Sequence, residues 1–374
     1  MAQPTLSRTV ASAPTRTGGR LGRNGPFALL MGGPAFLGII VFLVVPFFLA
    51  FLLSFTNQRL LSPNPTEWVG LRNYSRLVGM TVLTLEPERD EATGDILRDE
   101  DGSVEFPRSR AITRSDPRYE GFSEWLSFDG GERRYVVLAK DPEFLRSLVN
   151  IFLFAVVVIP LQSSVGLGLA LLLNQGLPGT KLFRTLYFSP VVTSMVVVSI
   201  VWSFMYEERQ GLMNQLLQGI SFGALGPIDW LGDPRFAMLS IIIMSVWQGA
   251  GLQMVIFLAG LQAIPNELYE AADIDGASRW HKFRFVTLPS LYNTTVFIII
   301  TITIAAFSLF TQVDVMTSGG PDNATTTVMF HAVRAGFREQ DIAYGAAITV
   351  IYFLLILTIA LVQRRLLVGG RAQT

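Results

Sequence analysis

Six long apolar runs, a sparse charge content and arginines gathered on alternate loops predict an all-α membrane protein. It should have six transmembrane helices, with a small external insertion after the first. Half of the 374 residues are hydrophobic, 16% are charged, and the mean hydropathy is +0.44. That balance belongs to chains that cross a bilayer repeatedly. The runs are approximately Phe27–Phe55, Ser147–Leu173, Thr185–Tyr206, Phe236–Leu261, Tyr292–Val315 and Ile342–Val362. Each approaches or exceeds the roughly 20 residues of helix that a bilayer requires. The first is too long for a secretory signal and lacks a small-residue cleavage site, so it reads as a retained helix.

The arginines orient the chain. Arg8, Arg16, Arg20 and Arg23 precede the first run, and Lys181 with Arg184 mark the loop between the second and third. Arg279, Lys282 and Arg284 follow the fourth, and Arg364, Arg365 and Arg371 close the chain. With six spans all four groups fall on one side, which the positive-inside rule makes the cytoplasm. Both termini are therefore expected there. The expected organisation is a disordered cytoplasmic tail (1–26), a first helix (27–56), an external loop (57–146), a five-helix core (147–365) and a second cytoplasmic tail (366–374). The core contains a polar cytoplasmic loop at 263–291.

Composition removes several function classes. With no cysteine, disulfides, thiol chemistry and Cys-ligated zinc are excluded. His281 and His331 stand far apart, with no catalytic or metal-ligating set around them. The net charge is zero and no basic tract interleaves with aromatics, so no nucleic-acid partner is indicated. Away from their ends the six runs contain no Lys, Arg, Asp, Glu or His. Proton relays and ion sites in membranes need such groups, so an ion-coupled secondary transporter or channel subunit is the weaker alternative.

The loop after the first run is anomalous. Residues 57–146 hold 17 of the 29 acidic residues and 13 basic ones, a local charge of −4. Val104–Phe106, Phe122–Phe128 and Tyr135–Leu138 read as short strands or a small helix, and the segment as a small β-rich subdomain. It would be either a surface elaboration or a docking surface for an external protein.

The polar loop carries the most specific motif. Glu270-Ala271-Ala272 is followed by Asp275-Gly276-Ala277, then Phe283, then Leu288-Pro289. This pattern predicts a short helix, a glycine-enabled bend and a second short helix. Taken in register, it resembles the EAA loop of permease subunits of binding-protein-dependent ABC importers. Gly70-Leu-Arg-Asn-Tyr74, Asp141-Pro-Glu-Phe144, Phe183–Pro190, Gly211-Leu-Met-Asn214 and Thr317-Ser-Gly-Gly-Pro321 extend the resemblance to the carbohydrate branch, the maltose and glycerol-phosphate type. Residues 78–140 then look like an insertion between the first two elements.

The resemblance implies a type I importer permease in a bacterial cytoplasmic (inner) membrane. Its partners would be a second homologous permease, a dimer of ATPase subunits and an extracytoplasmic substrate-binding protein, with surrounding lipid. Glu270, Ala271, Ala272, Asp275, Gly276, Ala277, Phe283, Leu288 and Pro289 would couple to the ATPase. ATP and magnesium would sit on that partner, and this chain would hold no cofactor or metal. Consistent with this, no Gly-x4-Gly-Lys-Ser/Thr pattern occurs.

A substrate path would lie among polar residues of the fourth and fifth runs. Ser245, Gln248 and Gly249 share one helical face, with Gln253 close by; Thr301, Ala305, Ser308 and Gln312 share another. Amides and hydroxyls beside Phe307 and Phe310 suit a sugar. The same residue types also cement helices to one another, so both readings stand. Ile302, Ala306 and Leu309 replace polar groups expected of maltose carriers, which argues against maltose itself.

Overall fold

The computed structural model describes residues 25–90, 95–98, 102–131, 133–176 and 178–368. The expected N-terminal tail up to residue 24, with its four arginines, and residues 369–374 lie outside the described residues. The chain divides into two units, Met1–Leu49 and Ala50–Thr374.

The helix Gly25–Ile39 continues through a π-helical turn, Ile40–Val44, into the helix Val45–Leu53. Its stretch Leu30–Leu53 is 24 residues of apolar helix with no buried side chain. Such a surface is stable only in lipid or against another protein.

Three further helices are long and apolar enough to cross a membrane: span two, Pro142–Leu173; span four, Pro234–Gln262; and span six, Ile342–Leu366. The remaining two spans are broken. Thr180–Val192 meets Met195–Met205 at 101° in span three, and Arg279–Ser290 meets Tyr292–Phe307 at 65°. The second piece of that last pair, Tyr292–Phe307, is span five.

The broken third span departs from the single helix expected over Thr185–Tyr206. Pro190 lies inside the first piece and has no N–H to donate, while Thr193 and Ser194 adopt extended backbone with ψ of 140° and 132°. The fifth span also ends earlier than Val315. Its helix stops at Phe307, Ser308 caps it, and a separate short helix runs from Thr311 to Met316.

Spans two and four form the most extensive helix pair. Gln162 packs on Gly249 and Gly166 on Gln253, in the same order along both helices, so the two run parallel. Span five runs opposite to span six, because Thr303 bonds Gln363 while Phe307 bonds Tyr352. The polar loop after span four therefore lies at the opposite end of the bundle from the start of span two.

The insertion is a three-stranded antiparallel sheet in the order β1-β3-β2, formed by β1 (Met80–Leu85), β2 (Ser123–Gly130) and β3 (Arg133–Ala139). Met80 pairs with Ala139, and the Lys140 N–H donates to the Gly79 carbonyl at 3.0 Å, closing the base. Alternate residues Leu83, Leu85, Val136 and Leu138 form a core separate from that of the helices, covered by Phe106, Ile112, Tyr119 and Phe122. The expected strand at Val104–Phe106 is only an isolated bridge between Val104 and Arg98. β1, absent from the expected strands, takes its place as the partner of β3.

Candidate translocation path and coupling loop

A cavity of about 330 Å³ opens between spans two, four and five and the broken third span. Ser245, Gln248, Gly249, Ser308 and Gln312 all line it, as does Met195 from just beyond the third-span break. Gln253 does not; it is buried, and its side chain closes on Gly166 of span two. Ser308 and Gln312 reach the cavity from a helix cap and a following short helix rather than from one continuous face.

The walls differ in chemistry. Spans two and four bring Gln162, Ser245 and Gln248 beside Phe154 and Val158, whereas span five itself contributes Ile302, Ala305 and Ala306 and the segment after it Ser308, Thr311 and Gln312. Gln248 Nε2 reaches the Pro190 carbonyl at 3.4 Å, joining span four to the helix piece that breaks. Gly249 is demanded by the neighbour it faces, since a Cβ there would lie 2.1 Å from Gln162 Nε2. Ser245 Oγ is buried and makes no hydrogen bond within the described residues. The expected Phe307 and Phe310 do not line the cavity, since Phe307 is buried edge-on against Phe152 and Phe310 packs near Phe330; the aromatic side chain in its wall is Phe154 of span two. Gln162 is a wall residue that the sequence analysis does not single out. A glutamine two residues after Pro160 in an apolar run is the available signal.

At the far end, the helix Asn266–Ile274 carries Glu270, Ala271 and Ala272, with Glu270 and Ala271 exposed. Asp275 caps it and Gly276 follows at φ +71°. The Gly276 N–H donates to the Asp273 carbonyl at 3.0 Å and Ala277 N–H to the Ala272 carbonyl at 2.9 Å, a Schellman closure that requires the left-handed residue. Ser278 then accepts from the His281 N–H to start the helix Arg279–Lys282, and a π-helical turn, Phe283–Thr287, leads into Leu288-Pro289. The two short helices are tied by Tyr269 to Thr287, 3.0 Å between hydroxyls, and by an ion pair of Lys282 with Asp273. Phe283 is half-buried against Trp280 at 5.6 Å. Ile274 is 88% exposed, Trp280 66% and Phe285 68%. So much exposed apolar surface on a polar loop calls for a covering partner.

Comparison with known proteins decides the family. The model of "Binding-protein-dependent transport system inner membrane component" matches residues 143–368. The chain belongs to this family. A probable ABC transporter permease protein of Bacillus subtilis is 34% identical over 257 residues, covering 67% of this chain and 88% of that one. The lactose transport system permease protein of Rhizobium radiobacter is 36% identical, covering 69% and 86%. The trehalose/maltose transport system permease protein of Thermococcus litoralis is 35% identical, covering 62% and 77%. Among solved structures, a bacterial ABC transporter that imports the acidic polysaccharide alginate aligns with a TM-score of 0.56 at 21% identity, over 61% of this chain and 80% of that one.

This permease is thus a multi-pass membrane component of an ABC transport system that depends on a binding protein, not an enzyme. The described residues show what several of its motifs do. Asn73 donates from its amide to the carbonyls of Ser54 and Thr56 at 2.8 and 2.9 Å, fastening the Gly-Leu-x-Asn-Tyr element to the end of the first helix. Asn214 donates to the carbonyls of Glu208 and Ile228 and accepts from Trp230, organising the loop before span four. Thr325, Thr326 and Thr327 are wholly buried and bond the carbonyls of Gly320, Gly319 and Leu309, which fixes the Gly-Gly-Pro turn in place.

One cluster has no counterpart in the sequence pattern. Asp141 caps span two, accepting from the Phe144 N–H at 2.8 Å, and also meets His331 Nε2 at 2.8 Å and the Tyr344 hydroxyl. His331 is buried, with Glu143 3.8 Å from its other nitrogen. Arg334 pairs with Glu143 and Glu339. Burial alone would raise the Asp141 pKa, but the bonds from His331, Tyr344 and Phe144 outweigh it and hold the carboxyl at about 2. Asp141 is 190 residues from His331 and 203 from Tyr344, so no local pattern could have shown the contact.

Proposed function

We propose that this permease forms half of an import path for a neutral sugar or similar polyol and is driven by a separate ATPase. The observation that carries the reading is the cavity, uncharged throughout, with amides and hydroxyls of Gln162, Gln248, Ser308 and Gln312 set among apolar side chains on both sides. Sugars present both hydroxyls and C–H faces, and such a surface matches them. The names of the lactose and trehalose/maltose relatives support the carbohydrate class. The alternative of an ion-coupled carrier finds no ionisable side chain in the cavity wall.

The partners follow from the same reading. A second, homologous permease faces this one across the path. Two ATPase subunits, which hold ATP and Mg²⁺, cover the exposed Ile274, Trp280 and Phe285 of the coupling loop. A binding protein delivers the sugar at the sheet-bearing end, which faces outward, and both termini lie in the cytoplasm. ATP-driven closure of the ATPases moves the loop, and the permeases rock to expose the cavity to the binding protein.

Uptake of labelled sugar by the reconstituted complex tests this. Gln248→Ala and Ser308→Ala should each weaken apparent affinity by about ten- to hundredfold, the loss of one buried hydrogen bond of about 1–3 kcal/mol. The complex should still assemble. Normal uptake by both variants together with loss of assembly in detergent would make these residues helix cement and refute their place in the path.

A further inference from the structure

At the sheet-bearing end, the segments that leave the first helix and enter spans two and six enclose a cleft of about 400 Å³. Arg59, Arg72, Arg76 and Lys140 line it against Glu120 and Asp341. Arg76 is already neutralised: its guanidinium bonds Asp341 at 3.3 Å and lies 3.9 Å from the centre of the Tyr344 ring. Lys140 rests 5.2 Å from the centre of the Phe122 ring, with no carboxylate partner among the described residues. Arg59 and Arg72 likewise have no side-chain partner among the described residues. This cationic cleft stands at the base of a segment whose overall charge is −4, so it is a local concentration rather than a general property of the loop.

The same segments supply a second observation. Leu60, Leu61, Trp68 and Leu71 are all exposed, Leu61 by 73% and Leu71 by 67%. Trp68 stacks on Phe55, centroids 5.3 Å apart, just past the end of the first membrane helix. Cations and apolar side chains therefore alternate in Arg59-Leu60-Leu61 and Leu71-Arg72, at the level where three spans end. In bulk water the leucines have nothing to rest on. At a bilayer surface both demands are met together: tryptophan and leucine enter the interfacial layer, and arginine remains among the phosphates.

We infer that this cleft holds the phosphate headgroup of an anionic phospholipid from the leaflet on the sheet side. Arg59, Arg72 and Lys140 contact the phosphate, while Leu60, Trp68 and Leu71 lie against the glycerol and upper acyl chains. A bound lipid there joins the base of the insertion to the ends of spans two and six.

The test is native mass spectrometry of the full chain released from nanodiscs made of equal parts phosphatidylglycerol and phosphatidylcholine. Wild type should retain phosphatidylglycerol over phosphatidylcholine by roughly tenfold or more, since each cation at an anionic surface contributes about fivefold. Arg59→Gln with Arg72→Gln should abolish the preference, and Arg59→Lys with Arg72→Lys should keep it, which separates lost charge from lost folding. Equal retention of the two lipids by wild type, or an unchanged preference in the glutamine variant, would overturn the proposal. So would displacement of the lipid by millimolar inorganic phosphate, which would make the ligand a free anion.

Discussion

At Gly276 a single backbone angle sets how the EAA loop turns. Its φ of +71° closes the Schellman bonds, yet no atom outside its own neighbourhood lies within 4 Å of where a Cβ would be. A side chain there is opposed by its own backbone and by any partner, not by this chain. Gly276→Leu should therefore incur about 1–2 kcal/mol of left-handed strain and lose most transport while still inserting. Gly276→Asn, which tolerates that conformation, should retain more. Sugar uptake and ATPase co-purification measure both, and wild-type uptake by the leucine variant would refute a docking role. Ser245 offers the opposite case. Because its buried Oγ makes no bond in the protein, Ser245→Ala should leave the melting temperature unchanged yet weaken sugar uptake, an outcome that helix cement does not produce.

Among the elements, span two is held at its N-terminal end by the cap that Asp141 provides. The carboxyl titrates at about 2 instead of 3.8, so its contribution, about 2 kcal/mol, is complete above roughly pH 4 and is lost as pH falls from there towards 2. Thermal melts of the detergent-solubilised chain should decline over that window. Asp141→Asn should lower the melting temperature at neutral pH and flatten the acid limb; an unaltered limb would show that other carboxylates govern it. The third span shows a different principle. Hydropathy marks where a helix can lie in lipid but not whether it is continuous, and at Thr193-Ser194 the chain turns by about a right angle beside the cavity. Broken helices at membrane depth are tolerated where protein or a cavity surrounds them.

For the molecule as a whole, the insertion behaves as an added unit. It has its own core, and its two ends are joined by the Gly79–Lys140 bond of 3.0 Å. Deleting residues 78–140 and joining Leu77 to Asp141 should leave membrane insertion and ATPase pairing intact. Stimulation of ATP hydrolysis by the binding protein should fall, since the proposed orientation puts the sheet where that partner approaches. Unchanged stimulation in a well-assembled deletion variant would reduce the sheet to a brace.

Composition, apolar run length and arginine placement are enough to read a six-span membrane chain, because transfer into lipid is a property of each segment alone. The coupling loop is equally legible: its helix, Asp-Gly bend and proline are local features within about twenty residues. Ser245, Gln248 and Gly249 fall on one face by helical spacing alone. What periodicity cannot supply is any relation across the chain. β1 carries β-branched Thr81, Val82 and Thr84, but its place in a sheet comes from pairing with β3, about fifty to sixty residues away. Gln253 resembles a path residue until span two covers it, and His331 looks solitary until Asp141 meets it. The cavity itself belongs to that second group. Its walls come from five segments whose side chains are ordinary in isolation, and only the parallel packing of spans two and four, with the breaks in the third and fifth, brings them to one space.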